Sequence, residues 1–344
     1  MFWRLLLGSS LTLLISVTLL IWWMSRPSIS TQQWHFGDII STKAPTPIVT
    51  QNLSLMTYNI GFAGGNSGLT DTRLTHTQSQ QNLAAIIATI KAHNPDILTI
   101  QEIDVQSRRS NYINQIEEIA TKAGYPYVAI AYTWDCRWVP YPTNLKPWTQ
   151  FAKTTAANAV FSKHPILGQH IIRFPKPRKN NWIYNLFYLD RVAQIVQIQY
   201  NTTVIEIANL HLEAWNKTER ESQMSKIATY LTTTNHPTII TGDFNTTPLI
   251  ATKKHQFPDD PRDDYRDDST LTTLLSLPNV TDTLAATTPL EESKHWTFPT
   301  SAPSRRLDYI LINAKDWTIQ NPKISQPATG SDHLPVVTEL TAKF

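Results

Sequence analysis

The stretch Ile240-Thr241-Gly242-Asp243-Phe244-Asn245-Thr246-Thr247-Pro248 sets a carboxylate and a carboxamide two residues apart, at the end of a β-branched run from Thr238 to Thr241. A strand repeats every two residues, so Asp243 and Asn245 are expected on one side and Phe244 in the core. An acid beside an amide suits water activation. The carboxylate can take a proton from water, and the amide can orient that water or a phosphate oxygen. Taken alone, the stretch reads more simply as an Asx-rich turn after a strand.

Other segments end in the same way, and these are the elements that must bring the groups together. Leu53 to Asn59 alternates as a strand and finishes on Asn59. A helix is expected from about Gln78 to His93, followed by a strand from Pro95 to Glu102. Val204 to His211 ends on a histidine, Arg306 to Ile312 opens with Asp308, and Ser331-Asp332-His333 precedes a strand from Val336 to Leu340. Each polar residue alone is a plausible cap or turn former. Together they are the residue types that bind hard cations and move protons.

The ordered set Thr57-Tyr58-Asn59, Gln101-Glu102, Asn158 to Pro165, Asn209-Leu210-His211-Leu212, Gly242-Asp243-Phe244-Asn245, Leu307-Asp308-Tyr309-Ile310 and Ser331-Asp332-His333-Leu334-Pro335 resembles the endonuclease/exonuclease/phosphatase (DNase I-like) superfamily. The resemblance runs from about Asn52 to the C-terminus with every motif in the family's order. It implies an α/β fold, a four-layer αββα sandwich of two mixed sheets with helices outside and the site at one rim.

The resemblance also implies roles. Glu102 is the main ligand of a divalent cation, with Asn59 and Asp332 completing the site. Oxygen ligands and the lack of a Cys/His cluster fit Mg²⁺ or Mn²⁺. Asp243 positions or deprotonates the attacking water, and Asn245 orients it and contacts the phosphate. His333 donates to a non-bridging oxygen while Asp308 orients its imidazole. His211 stands where the deoxyribonuclease, sphingomyelinase and 5-phosphatase branches carry histidine. The reaction implied is in-line attack of water on phosphorus without a covalent intermediate. Asn158 is either a phosphate contact or a turn residue before a strand from Ala159 to Ser162. Arg191, opening a strand from Val192 to Ile198, either forks onto a phosphate or pairs at the surface near Asp190.

At the N-terminus, Leu5 to Met24 carries no charge. About 20 helical residues reach about 30 Å, the thickness of a bilayer core. With Arg4 before it, Trp22 and Trp23 at its end, and no Ala-x-Ala-like exit, residues 1–27 are expected to form a retained transmembrane anchor rather than a cleaved signal peptide. Residues 28–50, with Pro27, Pro45 and Pro47 in or beside them, are expected to act as a linker, leaving 51–344 as the catalytic domain. A single membrane span with the domain on the outer, periplasmic or extracytoplasmic, side is expected by analogy with signal anchors. The lone Cys136 rules out an internal disulfide.

Charged residues make up 17% of the 344, and the net charge is only +3. Strong nonspecific nucleic-acid binding needs a basic surface, so this balance weighs against a nuclease. Two long segments should choose the substrate: Trp134 to Trp148 and Phe174 to Tyr184, where basic residues alternate with aromatics. Such loops either stack bases or rest at a membrane interface and receive a lipid headgroup; the anchor favours the second. The acidic run Asp259 to Asp268, interspersed with arginines, is expected to be a self-paired surface loop. The expected partner is therefore a phosphoester, a lipid headgroup before nucleic acid. A binding module that has lost its chemistry is the remaining class. Glu102, Asp243, Asn245, Asp308 and His333 are all retained, which weighs against it.

Overall fold

A computed structural model describes the chain apart from residues 1, 45–48, 67–72 and 145, with residues 2–8 described by backbone alone. Pro45 and Pro47 of the expected linker lie outside the described residues. In chain order the elements are helix α1 (Phe2–Ser25), α2 (Thr31–Phe36), strands β1 (Asp38–Ser41) and β2 (Asn52–Asn59), α3 (His76–His93), β3 (Ile97–Asp104), α4 (Gln115–Ala123), β4 (Tyr127–Val139), β5 (Ala152–Ser162), β6 (Ile166–Arg173), α5 (Trp182–Phe187), β7 (Val192–Tyr200), β8 (Thr203–His211), α6 (Lys217–Leu231), β9 (Thr238–Asp243), α7 (Thr270–Leu275), β10 (Val280–Asp282), α8 (Pro289–Ser293), β11 (Asp308–Asn313), β12 (Trp317–Ile324) and β13 (Val336–Ala342).

Among the described residues the strands form two sheets, ordered β1-β4-β5-β3-β2-β13-β12 and β10-β11-β9-β8-β7-β6. Alternation along the strands sorts the apolar side chains into three layers. Leu53, Leu55, Val196, Ile207, Ile310 and Leu340 pack between the sheets. Met56, Ile100 and Phe161 face outward under Ile86 and Ile90 of α3 and Ile119 of α4. Ile195, Leu210 and Ile240 face outward on the other side, under Met224 and Ile227 of α6 and Leu274 of α7. The two sheets face to face, with helices on both outer faces, form the expected sandwich.

Each sheet holds one parallel pair, and each pair is joined by a helical crossover. β2 runs beside β3 with Asn59 opposite Gln101, and β8 beside β9 with His211 opposite Asp243. Parallel strands end at the same edge, so these crossovers carry four chain ends to one rim. β11 is antiparallel to β9 and starts there, with Asp308 opposite Asp243. Between the sheets runs an amide ladder. Gln101 Nε2 donates to Asn209 Oδ1 at 2.6 Å, Asn209 Nδ2 to Gln194 Oε1 at 3.2 Å, and Gln194 Nε2 to Gln169 Oε1 at 3.0 Å. Asn209 also reaches the Ile100 and Ala159 carbonyls of the facing sheet, so buried amide hydrogen bonds tie the sheets together as well as packing does.

The N-terminal region departs from expectation. Helix α1 coincides with the expected span, and its described side chains Leu11, Leu13, Leu14, Leu19, Leu20 and Trp22 are exposed. Among the described residues, though, no helix is long and apolar enough to cross a membrane. The expected free linker is largely folded. Ser30 caps α2 in a capping box with Gln33, and β1 pairs antiparallel with β4, Asp38 opposite Ile130. Asp135 accepts the backbone N–H groups of Ser28 and Ile29 and the Ser28 hydroxyl. The Arg173 guanidinium donates to the Trp34 carbonyl and sits 4.1 Å from that ring. Proline content suggested a tether, but a cap signal and an open β4 edge outweigh it locally.

Two smaller differences concern the long segments. Trp134 to Val139, expected in a loop, continue β4. The acidic run is self-paired as expected, Asp260 with Arg262 and Asp264 with Arg266. It is also rooted in the domain: Asp259 and Asp263 grip the buried Arg305, and Asp268 grips the buried Arg220.

Candidate active site

At the rim, β9 is drawn against β8 by Gly242. This residue has φ +132, and a Cβ there would lie 2.0 Å from the Leu210 carbonyl oxygen, so only glycine fits. The next residue is Asp243. The strand stops there, and Asn245 takes a left-handed conformation with φ +51. Its N–H donates to Asp243 Oδ1 at 2.9 Å, an Asx turn, and Phe244 is fully buried. The turn and the candidate catalytic pair are therefore the same structure. Strand alternation does not set the direction of Asn245. Its Nδ2 is held by the Leu212 carbonyl at 3.0 Å, which leaves Oδ1 as the free acceptor.

Asn59 links the two sheets. Its Oδ1 accepts from the Gly61 N–H at 3.0 Å, which fixes the amide orientation. Its Nδ2 then lies 3.0 Å from Asp243 Oδ2, 3.5 Å from Glu102 Oε1 and 3.5 Å from His333 Nε2. Glu102 was expected to close its strand. Instead the pairing of β3 with β5 slips between Ile100 and Ile103, and Glu102 sits at φ +56 within the bulge. A non-glycine residue held in this region marks a constraint imposed by the surroundings. The bulge aims the carboxylate at His211, whose Nε2 is 3.7 Å from Glu102 Oε1 and 3.6 Å from Asp243 Oδ2.

On the other side of Asp243, His333 Nδ1 and Asp308 Oδ2 are 2.8 Å apart, and His333 Nε2 lies 3.8 Å from Asp243 Oδ2. Phe298 packs on the imidazole with ring centroids 4.6 Å apart. The two histidines are driven in opposite directions. Burial, aided by Arg191 and by His333, holds His211 well below its usual range and hence neutral. Burial acts against the charge on His333 too, but the Asp308 carboxylate, with Asp243 and Asp332, pushes it up to about 10. Asp243 is pushed up to about 7, chiefly by burial and then by Asp308, against the opposing pull of His333. Asp332 is pushed up to about 6 by burial and by Glu102, again with His333 opposing.

Among the described residues, two groups of ligand atoms could hold a cation. Asp243, Asp308 and His333 offer atoms within 4.8 Å of one another, and Asp308 Oδ1 is buried without a hydrogen-bond partner. A protonated histidine already bonded to its carboxylate is a poor ligand, however. Glu102 and Asp332 repel one another, and among the described residues no lysine or arginine pairs with either. That all-oxygen pair beside Asn59 fits a hard divalent ion better.

The remaining expected residues lie beside this cluster. Asn158 is buried on β5, with both amide atoms unpartnered. Arg191 is buried rather than paired at the surface: Asp190 takes Lys176 at 3.2 Å, and Arg191 turns to Glu213 at 3.8 Å, leaving its Nε and Nη1 without hydrogen bonds. Glu213, Tyr188 and Trp215 were not anticipated. Tyr188 donates to Glu213 at 2.7 Å, and Arg191 stands 5.8 Å from the Trp215 ring. Glu213 is two residues past His211 in sequence, a spacing that could have pointed to it.

Known proteins share the fold. Over residues 56–333 the chain matches the Endonuclease/Exonuclease/phosphatase family. No curated protein matches it. Among solved structures it is similar to an endonuclease/exonuclease/phosphatase from Beutenbergia cavernae, at 18% identity and TM-score 0.61, covering 85% of this chain and 72% of that one. The human Nocturnin catalytic domain with bound sulfate anion is similar at 17% identity and TM-score 0.57, covering 89% and 97%. A humanized D. rerio TDP2 is similar at 14% identity and TM-score 0.53, covering 85% and 100%. At these identities the structural likeness speaks for the fold, and the motif-bearing span speaks for the family. With its motifs in order, its sheets paired and its acids and histidines gathered at one rim, the chain belongs to the endonuclease/exonuclease/phosphatase family, whose members are typically phosphoester hydrolases.

Proposed function

We propose that the protein is a divalent-cation-dependent phosphodiesterase that hydrolyses a lipid or lipid-headgroup substrate by in-line attack of water. The observation that carries this reading is the placing of Asp243 at the rim between two histidines: its Oδ2 lies 3.6 Å from His211 Nε2, 3.8 Å from His333 Nε2 and 3.0 Å from Asn59 Nδ2, and burial pushes its carboxyl up to about 7. A carboxylate with that affinity for protons can take one from water near neutral pH, and Asn245 Oδ1 is free to orient the same water. His333 donates to a non-bridging phosphate oxygen and Asp308 keeps it charged. His211 faces the same oxygens as a neutral donor. Asn158 and the unpartnered nitrogens of Arg191 supply further contacts to the phosphate.

Glu102, Asp332 and Asn59 would hold Mg²⁺ or Mn²⁺. When bound there, the cation supplies Lewis-acid stabilisation of the developing negative charge. The lipid preference rests on the small net charge of +3 and on the aromatic residues near Arg191. The membrane anchor rests on the exposed leucines of α1, with the N-terminus inside and the domain on the outer side. A nuclease is the competing reading.

Full-length protein in detergent is expected to hydrolyse bis(p-nitrophenyl) phosphate only with added Mg²⁺ or Mn²⁺, and Asp243→Ala to abolish turnover. Unchanged turnover in excess EDTA or in that variant refutes the mechanism. Parallel assays on sphingomyelin, phosphatidylinositides, plasmid DNA and phosphomonoesters decide the substrate class. Efficient cleavage of DNA with none of the lipids refutes the lipid assignment.

A further inference from the structure

Helix α5 carries apolar side chains that the domain does not cover. Trp182 is 71% exposed, and Ile183, Tyr184 and Leu186 are exposed with it. The segment is nonetheless held firmly. Asn181 caps it, Trp134 Nε1 donates to the Phe187 carbonyl at 2.9 Å, and Lys176 Nζ donates to the Asn185 and Tyr188 carbonyls at 2.7 and 2.6 Å. A rigid element presenting a tryptophan, a tyrosine and two aliphatic side chains to water implies something that covers them.

Three observations indicate what covers them. First, the helix adjoins the end of α1: Leu186, Tyr188 and Lys176 line one open cleft of about 320 Å³ together with Ser25, Pro27 and Ile29. That end is fixed, since the Arg137 N–H donates to the Arg26 carbonyl at 3.2 Å. Second, the exposed cations Arg178 and Lys179 flank the apolar tip. Third, aromatic rings lead from the tip to the rim. Tyr184 packs on Tyr188 with centroids 5.5 Å apart, Tyr188 on Trp215 at 6.1 Å, and Trp215 lies against Arg191. Amphipathic aromatic rings beside cations match the headgroup layer of an anionic bilayer.

We propose that α5, with Arg178, Lys179 and Trp215, is an interfacial docking surface that rests in an anionic membrane on the same side as the α1 exit and delivers a lipid phosphodiester to Arg191. The proposal depends on the reading of α1 as an anchor, and the test separates the two. In a Cys136→Ser background, nitroxide labels are placed singly at Val17→Cys in α1, Ile183→Cys in α5 and Leu290→Cys on α8. The full chain is reconstituted in vesicles of phosphatidylcholine mixed with phosphatidylglycerol. Accessibility to oxygen and to an aqueous nickel complex is then read by power saturation.

Oxygen-rich, nickel-poor signals are expected at positions 17 and 183, and a nickel-accessible signal at 290. Arg178→Glu combined with Lys179→Glu is expected to return the label at 183 to water while leaving the label at 17 in the bilayer. A water-exposed label at 183 beside a buried label at 17 overturns the docking surface and leaves the anchor. Water-exposed labels at both positions overturn both. A label at 183 shielded from oxygen and nickel alike overturns the proposal in favour of a protein partner.

Discussion

Gly61→Ala offers a way to separate cation binding from the rest of the chemistry. Gly61 has φ +47, and a Cβ built on it would lie 2.6 Å from Asp332 Oδ1 and 3.6 Å from Ser331 Oγ. The left-handed backbone costs alanine about 1 kcal/mol. Turning the Asp332 carboxylate off its rotamer to relieve the contact costs about 1 kcal/mol more. The loss of about 2 kcal/mol should lower the melting temperature by several degrees in a domain of this size. If Asp332 helps hold the ion, moving its carboxylate should weaken cation affinity about 10- to 100-fold, in the range seen when the support of a ligand is removed. Gly124→Ala is the control: Gly124 also has a left-handed φ, +80, but a Cβ there meets nothing within 4 Å. It should cost the backbone term alone and leave affinity untouched. Thermal melts followed by circular dichroism and Mn²⁺ titration by calorimetry measure the two quantities. Wild-type Mn²⁺ affinity in Gly61→Ala would refute the assignment of Asp332, and equal loss in Gly124→Ala would show general loosening instead.

Asp308→Asn removes the carboxylate that keeps His333 charged, so stability should fall at neutral pH. Because the folded state raises the histidine from its usual 6.5 to about 10, the stabilisation is complete below 6.5 and is lost as pH rises through 10. Melts of the two proteins should therefore converge between those limits; a constant gap would refute the pairing. If Asp243 is the base, kcat/KM should rise with pH through about 7, the position set mainly by its burial, and a bound cation should move that limb to lower pH. A flat acid limb would remove Asp243 from the role. Asn158→Ala should leave the melting temperature unchanged or higher, since it deletes two unpartnered buried polar atoms, while KM rises about tenfold; a large loss of stability would make Asn158 a structural residue.

The fold was legible wherever apolar periodicity was strong. The strands ending at Asn59 and His211 and the helix ending at His93 fall within a few residues of their expected bounds, because one buried face dictates each. The membership of the rim was legible for a different reason: residue types in a fixed order survive without any knowledge of contacts. What could not be read was local backbone geometry. The bulge that aims Glu102 and the left-handed turn at Asn245 both depend on neighbouring strands, and an alternating pattern carries no record of a register slip. Of the two alternatives for Arg191, the surface pair fails for a related reason. The buried partner of Arg191, Glu213, comes from the strand end across the pair, while the acid next to it in sequence is taken by Lys176. The segment after α1 was misread because its partner, the β4 edge, comes from about 90 residues later in the chain, the distance between Asp38 and Ile130.

The pairing of β1 with β4 also bears on how the domain can be cut. β1 is the outermost strand of its sheet, and β4 beneath it runs for 13 residues. A truncation that starts at the first motif-bearing strand would strip this cover from Tyr127 to Ile130 and extend the open edge of β4 by four residues of unpaired N–H and C=O groups, an invitation to edge-to-edge self-association. The smallest well-behaved fragment should therefore begin at Ser28, whose backbone and hydroxyl are already held by Asp135, and fragments begun after Ser41 should precipitate or form oligomers.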